Sequence, residues 1–97
     1  MNKEDLQKEI MSNKYVLVDF FATWCMPCKM QSQIIADIKE QGFEDLTIVK
    51  VDVDDSEGLV GEYKIVSVPT LVMYKDGEII KRYVGVAKEE DILSWKK

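Results

Sequence analysis

The run Tyr15–Phe21 is the feature that most constrains the fold of this chain. Apart from Asp19, it consists of apolar residues with a preference for strands, with no alternation of polar and apolar positions. A strand of this composition fits the centre of a sheet that is covered on both faces. Shortly after it, Cys25-Met26-Pro27-Cys28 opens a segment with helical periodicity. The sequence therefore predicts a buried strand that leads into a helix.

The rest of the pattern predicts a mixed α/β fold. Helices are expected over 3–11, 25–41, a short segment after 54–56, and 88–96, and strands over 15–21, 46–53, 70–74 and 79–84. Two βαβ-type crossovers predict parallel strands, and Asp76-Gly77 predicts a closing antiparallel hairpin. The order αβαβαββα thus predicts one domain over 1–97, a four-stranded sheet with helices on both faces. The second helix carries an apolar stripe of Met30, Ile34, Ile35 and Ile38.

The composition excludes several classes of function. The 97 residues include two cysteines and no histidine, and their net charge is −5. An acidic domain is a poor ligand for nucleic acid, which needs clustered cations. Without histidine there is no imidazole base, and two cysteines cannot complete a four-ligand metal site within one chain. The sequence has no membrane-spanning run and no export signal, so we expect a cytoplasmic protein.

Cys25 and Cys28 stand where the buried strand gives way to the start of a helix. At this spacing the two thiols can form a disulfide with little backbone movement. The helix N-terminus favours the thiolate of Cys25, whereas Cys28, one turn further along, suits a shielded resolving thiol. Redox chemistry is the leading interpretation. A structural bridge and a metal site shared between two chains are the alternatives.

Three further residues stand out around this motif. Asp19 interrupts the apolar strand, where burial should raise its pKa and make it a candidate proton acceptor for Cys28. A carboxylate hydrogen-bonded to backbone at a strand end is the other interpretation. Lys50 would oppose this pKa shift if its strand lies beside that of Asp19, or be an ordinary exposed lysine. Pro69 opens the third strand, either as a simple strand start or as part of the site.

Four groups of residues resemble the thioredoxin family in order and spacing. They are Val18-Asp19-Phe20, the WCxPC-type motif Trp24–Cys28 with Lys29-Met30, Val68-Pro69-Thr70, and Asp76-Gly77-Glu78. The resemblance covers nearly the whole chain and implies the thioredoxin fold. Because about 14 residues precede the first strand, we expect the family's N-terminal edge strand to be absent. The resemblance also implies an oxidoreductase that reduces client disulfides through a reversible Cys25–Cys28 dithiol.

The resemblance assigns a role to each matching residue. Cys25 would attack the client disulfide, Cys28 would resolve the mixed disulfide, and Asp19 would assist proton transfer with Lys50 beside it. Pro69 would be in cis, so that the backbone of the preceding residue pairs with an extended client segment. The implied apolar docking rim consists of Trp24, Met26, Pro27, Val68, Gly85 and Val86.

The resemblance also implies partners. The domain would be a monomer without a cofactor, reduced by a flavin-dependent, NADPH-consuming thioredoxin reductase. Its clients would include ribonucleotide reductase, peroxiredoxin and methionine sulfoxide reductase. Met26 replaces the usual glycine between the cysteines, which leaves the redox potential and partner preference open. The alternatives are a disulfide oxidant or isomerase, and a redox-silent binding module that uses the same rim.

Overall fold

The elements follow one another in the predicted order αβαβαββα. The computed structural model describes residues 1–96, and of Glu57 only the backbone; Lys97, the predicted end of the domain, lies outside the described residues. The elements are α1 (Lys3–Ser12), β1 (Tyr15–Phe21), α2 (Met26–Glu40), β2 (Leu46–Asp52), α3 (Glu57–Glu62), β3 (Thr70–Lys75), β4 (Glu78–Val84) and α4 (Glu89–Ser94).

The strands form a mixed four-stranded sheet in the order β2-β1-β3-β4. β1 lies in the interior of the sheet, parallel to β2 and antiparallel to β3. Helix α1 leads directly into β1, and the residues described here include no strand before it. As expected, the family's N-terminal edge strand is absent from this part of the chain, and β2 lies at the edge.

The expectation that the second crossover joins parallel strands is wrong. β3 begins at Thr70, which pairs with Phe20 at the carboxyl end of β1, so β3 runs back against both β1 and β2. To run parallel to β2, β3 would have to begin at the amino ends of the strands, and the connection would have to cross the length of a strand, about 23 Å. The single six-residue helix in this connection covers only about 9 Å. The chain instead re-enters the sheet at the end where β2 left it, with Thr70 opposite Phe20.

The closing hairpin has the predicted two-residue turn. Asp76 and Gly77 have φ angles of 51° and 87°, and Lys75 pairs with Glu78 across the turn. Two successive positive φ angles give a turn whose twist matches that of the strands, which explains the Asp-Gly pair at this position.

The core lies on both faces of β1, as its composition predicts. On one face Val16, Val18 and Phe20 pack against α1 and α3; on the other Tyr15 and Leu17 pack against α2 and α4. All residues of β1 except Phe21 are buried. Side chains alternate between the two faces of a strand, so Asp19 lies on the same face as Tyr15 and Leu17, which α2 covers.

The buried face of α2 differs from the predicted stripe. Ile35 and Ile38 are buried, but Met30 is 62% exposed, and the other buried residues of the helix are Cys28 and Gln31. The spacing 28, 31, 35, 38 is that of one helix face, and Met30 lies about 200° around the axis from Cys28. The fold thus places the second cysteine, rather than the methionine, on the sheet.

Candidate active site

Cys25 and Cys28 form a disulfide at the start of α2. Cys25 is the N-cap of the helix, and its Sγ accepts a hydrogen bond from the backbone N–H of Cys28 at 3.2 Å. The two Cα atoms are 5.2 Å apart, and both side chains are buried. Pro27 lies in the first turn, where its missing N–H leaves no helical hydrogen bond unmade. In the reduced form, the same N–H would stabilise a thiolate at Cys25.

The loop at Val68–Pro69 contacts Cys25, and a second loop, at Gly85, contacts Pro69. Cys25 Sγ lies 3.8 Å from the carbonyl oxygen of Val68, and the Val68–Pro69 peptide bond is cis, as expected. The carbonyl of Pro69 accepts a hydrogen bond from the N–H of Gly85 at 2.9 Å. Gly85 has a φ of +110°, which side chains rarely allow. These contacts bring the cysteine loop, the Pro69 loop and the Gly85 loop together.

Of the residues predicted as the docking rim, Trp24, Met26 and Pro27 flank the cysteines in the chain, Val68 contacts Cys25, and Gly85 contacts Pro69. Trp24 and Met26 are 69% and 66% exposed, Pro27 is exposed, and Val68, Gly85 and Val86 are half-buried. The indole N–H of Trp24 donates to Asp54 at 2.9 Å. Beside Trp24 lies a groove of about 200 Å³ lined by Val53, Val60, Ile65, Val66, Ser67 and Val68. The sequence does not predict this groove, because only the tertiary fold brings the segment after α3 alongside Trp24.

Asp19 has the environment that its position in an apolar strand predicts. Its side chain is fully buried, and neither carboxyl oxygen has a hydrogen-bond partner among the residues described. Burial raises the pKa of Asp19 to about 6, opposed by the positive charge of Lys50. The alternative of a carboxylate hydrogen-bonded to backbone is therefore excluded. Its pKa thus lies about one unit below neutral pH.

Lys50 lies directly opposite Asp19 in the ladder between β1 and β2. Its Nζ donates to Ser32 Oγ at 2.5 Å and lies 4.8 Å from the centre of the Phe21 ring. Lys50, Ser32 and Phe21 line a cleft of about 230 Å³ that reaches Cys28. The place of Ser32 in this cleft was not predicted, although a hydroxyl group one helical turn after Cys28 is a signal that the sequence offers.

Gln31 is a second residue whose place in the site was not predicted from the sequence. It lies three residues after Cys28 and is fully buried. Its Nε2 donates to the carbonyl of Ala87 at 3.1 Å, and its Oε1 accepts the N–H of Ala87 at 2.7 Å. The available signal was a glutamine at helical spacing from Cys28, on the face that carries the isoleucines of α2.

The residues around the disulfide do not form a metal site. Within residues 1–96, no three His, Cys, Asp or Glu side chains come together in a way that could hold a metal ion. The helices described are all too short or too polar to cross a membrane. What the arrangement offers chemically is a thiol pair at a helix N-terminus and a titratable carboxyl group.

The chain matches known proteins over nearly its whole length. The family model for thioredoxin matches residues 1–97. The thioredoxin of Mycobacterium tuberculosis is 44% identical over 84 residues, which cover 87% of this chain and 72% of that protein.

Solved structures agree with this match. Oxidised mitochondrial thioredoxin 3 of Saccharomyces cerevisiae has a TM-score of 0.87 and 33% identity, and the match covers 98% of this chain and 89% of that one. A second chain comes from a study of the thiol resolving mechanism in yeast mitochondrial 1-Cys peroxiredoxin via glutathione/thioredoxin systems. It has a TM-score of 0.85 and 31% identity, with coverages of 96% and 87%. This chain therefore belongs to the thioredoxin family and is a thiol–disulfide oxidoreductase with Cys25 and Cys28 as its redox-active pair.

Proposed function

We propose that Cys25 is the attacking thiolate and Cys28 the resolving thiol in the reduction of client disulfides. The observation that carries this assignment is the hydrogen bond from the Cys28 N–H to Cys25 Sγ at the N-terminus of α2. This donor and the helix dipole lower the free energy of the thiolate at Cys25. Cys28 lies one turn inside the helix, where a client sulfur has less access to it.

The reaction transfers two electrons to the client. The Cys25 thiolate attacks one sulfur of the client disulfide, forms a mixed disulfide and releases the other sulfur as a thiolate. Cys28 loses its proton and attacks Cys25 Sγ, which breaks the mixed disulfide and releases the second client thiolate. The Cys25–Cys28 disulfide forms, and both client thiolates take protons from solvent.

Asp19 is the proposed acceptor of the Cys28 proton, relayed by a water molecule. Its side chain lies on the face of the sheet that α2 covers, and the cleft beside Lys50 reaches Cys28. Its pKa of about 6 gives mostly carboxylate at neutral pH and still permits protonation during the reaction. Lys50, which pairs with Asp19 across the two strands, assists this step because its positive charge lowers the pKa of Asp19.

The client segment is proposed to bind in an extended conformation against the backbone of Val68, beside Pro69. Strand-like pairing gives affinity without a sequence requirement, and the exposed apolar rim adds contact area around the disulfide. The rim comprises Trp24, Met26, Pro27, Val68, Gly85 and Val86.

The proposed electron donor is a flavin-dependent, NADPH-consuming thioredoxin reductase, and the domain itself needs no cofactor. The proposed clients are ribonucleotide reductase, methionine sulfoxide reductase and peroxiredoxin. The similarity to a chain studied with yeast 1-Cys peroxiredoxin supports the last of these. A cytoplasmic monomer fits this role, because the cytoplasm supplies NADPH and keeps thiols reduced.

Insulin reduction tests the assignment. Cys25→Ser should lose activity, whereas Cys28→Ser should accumulate a mixed disulfide with insulin that mass spectrometry detects. Activity that survives Cys25→Ser would overturn the assignment. Equilibration with glutathione separates a reductase, with a potential of about −270 mV, from an oxidant near −120 mV.

A further inference from the structure

The buried side chain of Gln31 connects the active-site helix to the loop at 85–87. Gln31 lies on the buried face of α2, one turn after Cys28, and its amide makes two reciprocal hydrogen bonds with Ala87. A primary amide offers a donor and an acceptor side by side, which is the set needed to satisfy both backbone groups of one residue. Both residues are buried, so water cannot replace these hydrogen bonds if they are lost.

The loop is held at its other end by a different contact. The N–H of Gly85 donates to the carbonyl of Pro69 at 2.9 Å. Val86 thus lies between an anchor on the Pro69 loop and an anchor on α2. The helix that follows adds no side-chain hydrogen bond to this loop at its start, since its N-cap Lys88 makes no side-chain capping bond.

We propose that Gln31 is a positioning residue for client binding, because its two hydrogen bonds to Ala87 set the position of Val86 relative to the cysteines. This inference rests on the proposed docking rim, of which Val86 is a member. A protein client must contact the rim and Cys25 at the same time, so a displaced loop weakens its reaction. A small disulfide needs only access to Cys25 and is insensitive to the loop.

The test compares two disulfide substrates of the reduced 97-residue chain. The measured quantity is the ratio of kcat/KM for insulin to kcat/KM for oxidised glutathione. Gln31→Met conserves size but removes both hydrogen bonds, and should lower this ratio about ten-fold through a higher KM for insulin. The matched control is Gln33→Met, because Gln33 is exposed on the same helix and should leave the ratio unchanged.

Two further measurements separate a positioning role from a general effect on α2. The Cys25–Cys28 reduction potential should be the same in Gln31→Met as in the parent chain, and hydrogen exchange of the Ala87 amide should be at least ten-fold faster. An unchanged ratio in a folded variant, or a changed potential, overturns the inference. If Gln31→Met does not fold, Gln31→Asn, whose amide is one methylene too short to reach Ala87, replaces it with the same expectations.

Val86→Asp distinguishes failure of the inference from failure of the proposed rim. A charge at this position should lower the ratio of kcat/KM for insulin to kcat/KM for oxidised glutathione if the rim binds clients. If Val86→Asp lowers the ratio and Gln31→Met does not, the role of Gln31 is overturned and the rim stands. If neither variant lowers it, the rim is wrong and the inference is overturned with it.

Discussion

Asp19 and Lys50 are direct neighbours in the ladder between β1 and β2, yet no hydrogen bond joins their side chains. The carboxyl group is buried, whereas Lys50 is exposed and donates to Ser32 Oγ. The cation therefore acts on Asp19 only through its field, and that field does not cancel the desolvation that raises the pKa of Asp19 to about 6. The buried acid is stabilised too little to stay fully ionised at mildly acidic pH.

Asp19→Asn should stabilise the oxidised protein at neutral and alkaline pH. The folded pKa of about 6 lies above the unfolded value near 3.9, so ionisation favours the unfolded chain. The free energy of unfolding of the parent protein should thus fall between about pH 4 and pH 6 and then level off. The variant should gain up to about 3 kcal/mol at pH 8 and nothing below about pH 3.5.

Urea unfolding across this pH range measures the difference between the two proteins. Asp37→Asn is the matched control, because Asp37 is exposed on α2 and its replacement should leave the pH dependence unchanged. Parallel stability curves for the parent and Asp19→Asn would show that Asp19 is not destabilised by burial.

The rate of the resolving step should depend on the ionisation of Asp19. Release of insulin from the mixed disulfide, followed in a single turnover, should accelerate as pH rises through about 6, because the carboxylate then accepts the Cys28 proton. Asp19→Asn should remove this inflection and slow release at pH 7 by roughly ten-fold or more. A variant with the same pH profile as the parent would exclude Asp19 as the proton acceptor.

Lys50→Gln should raise the pKa of Asp19 above about 6, because the positive charge of Lys50 holds it down. The carboxyl carbon signal of Asp19 in an NMR titration reports this pKa directly. The inflection in the resolving rate should move to higher pH by the same amount. Lys39→Gln removes an exposed lysine from the end of α2 and should leave the titration of Asp19 in place. A pKa unmoved by Lys50→Gln would contradict the electrostatic link.

Ile38→Ala should destabilise the protein by about 2–5 kcal/mol, because it leaves a cavity in the core between α2 and the sheet. Urea unfolding should show a lower midpoint with an unchanged slope. Ile79→Ala, at a side chain on β4 that is 55% exposed, should cost less than about 1 kcal/mol. Equal losses in the two variants would be inconsistent with a core on this face of the sheet.

The elements of the fold were predictable because their signals are local. The apolar run Tyr15–Phe21 is β1 over its full length, and the Asp76-Gly77 turn has the expected two-residue form. The direction of β3 was predicted wrongly, since it depends on where a connection of 17 residues re-enters the sheet. Met30 was assigned to the buried stripe because its hydrophobicity was visible, whereas the rotation of α2 about its axis was not.

The sequence by itself determined the chemistry of the site. Two cysteines at helical spacing follow a buried strand, and the chain has no histidine. The helix N-terminus is therefore the feature that can activate the thiol, and Asp19 is the proposed proton acceptor. An acid within an apolar strand also implies its own burial and raised pKa.

Only the tertiary structure decided which side chains surround that chemistry. Ser32 meets Lys50 across 18 residues of chain, and Gln31 meets Ala87 across 56. Such contacts arise from the packing of α2 against the sheet and the return of the chain after β4. Their partners lie too far along the chain for any local pattern to pair them, so they had to be found in the folded molecule.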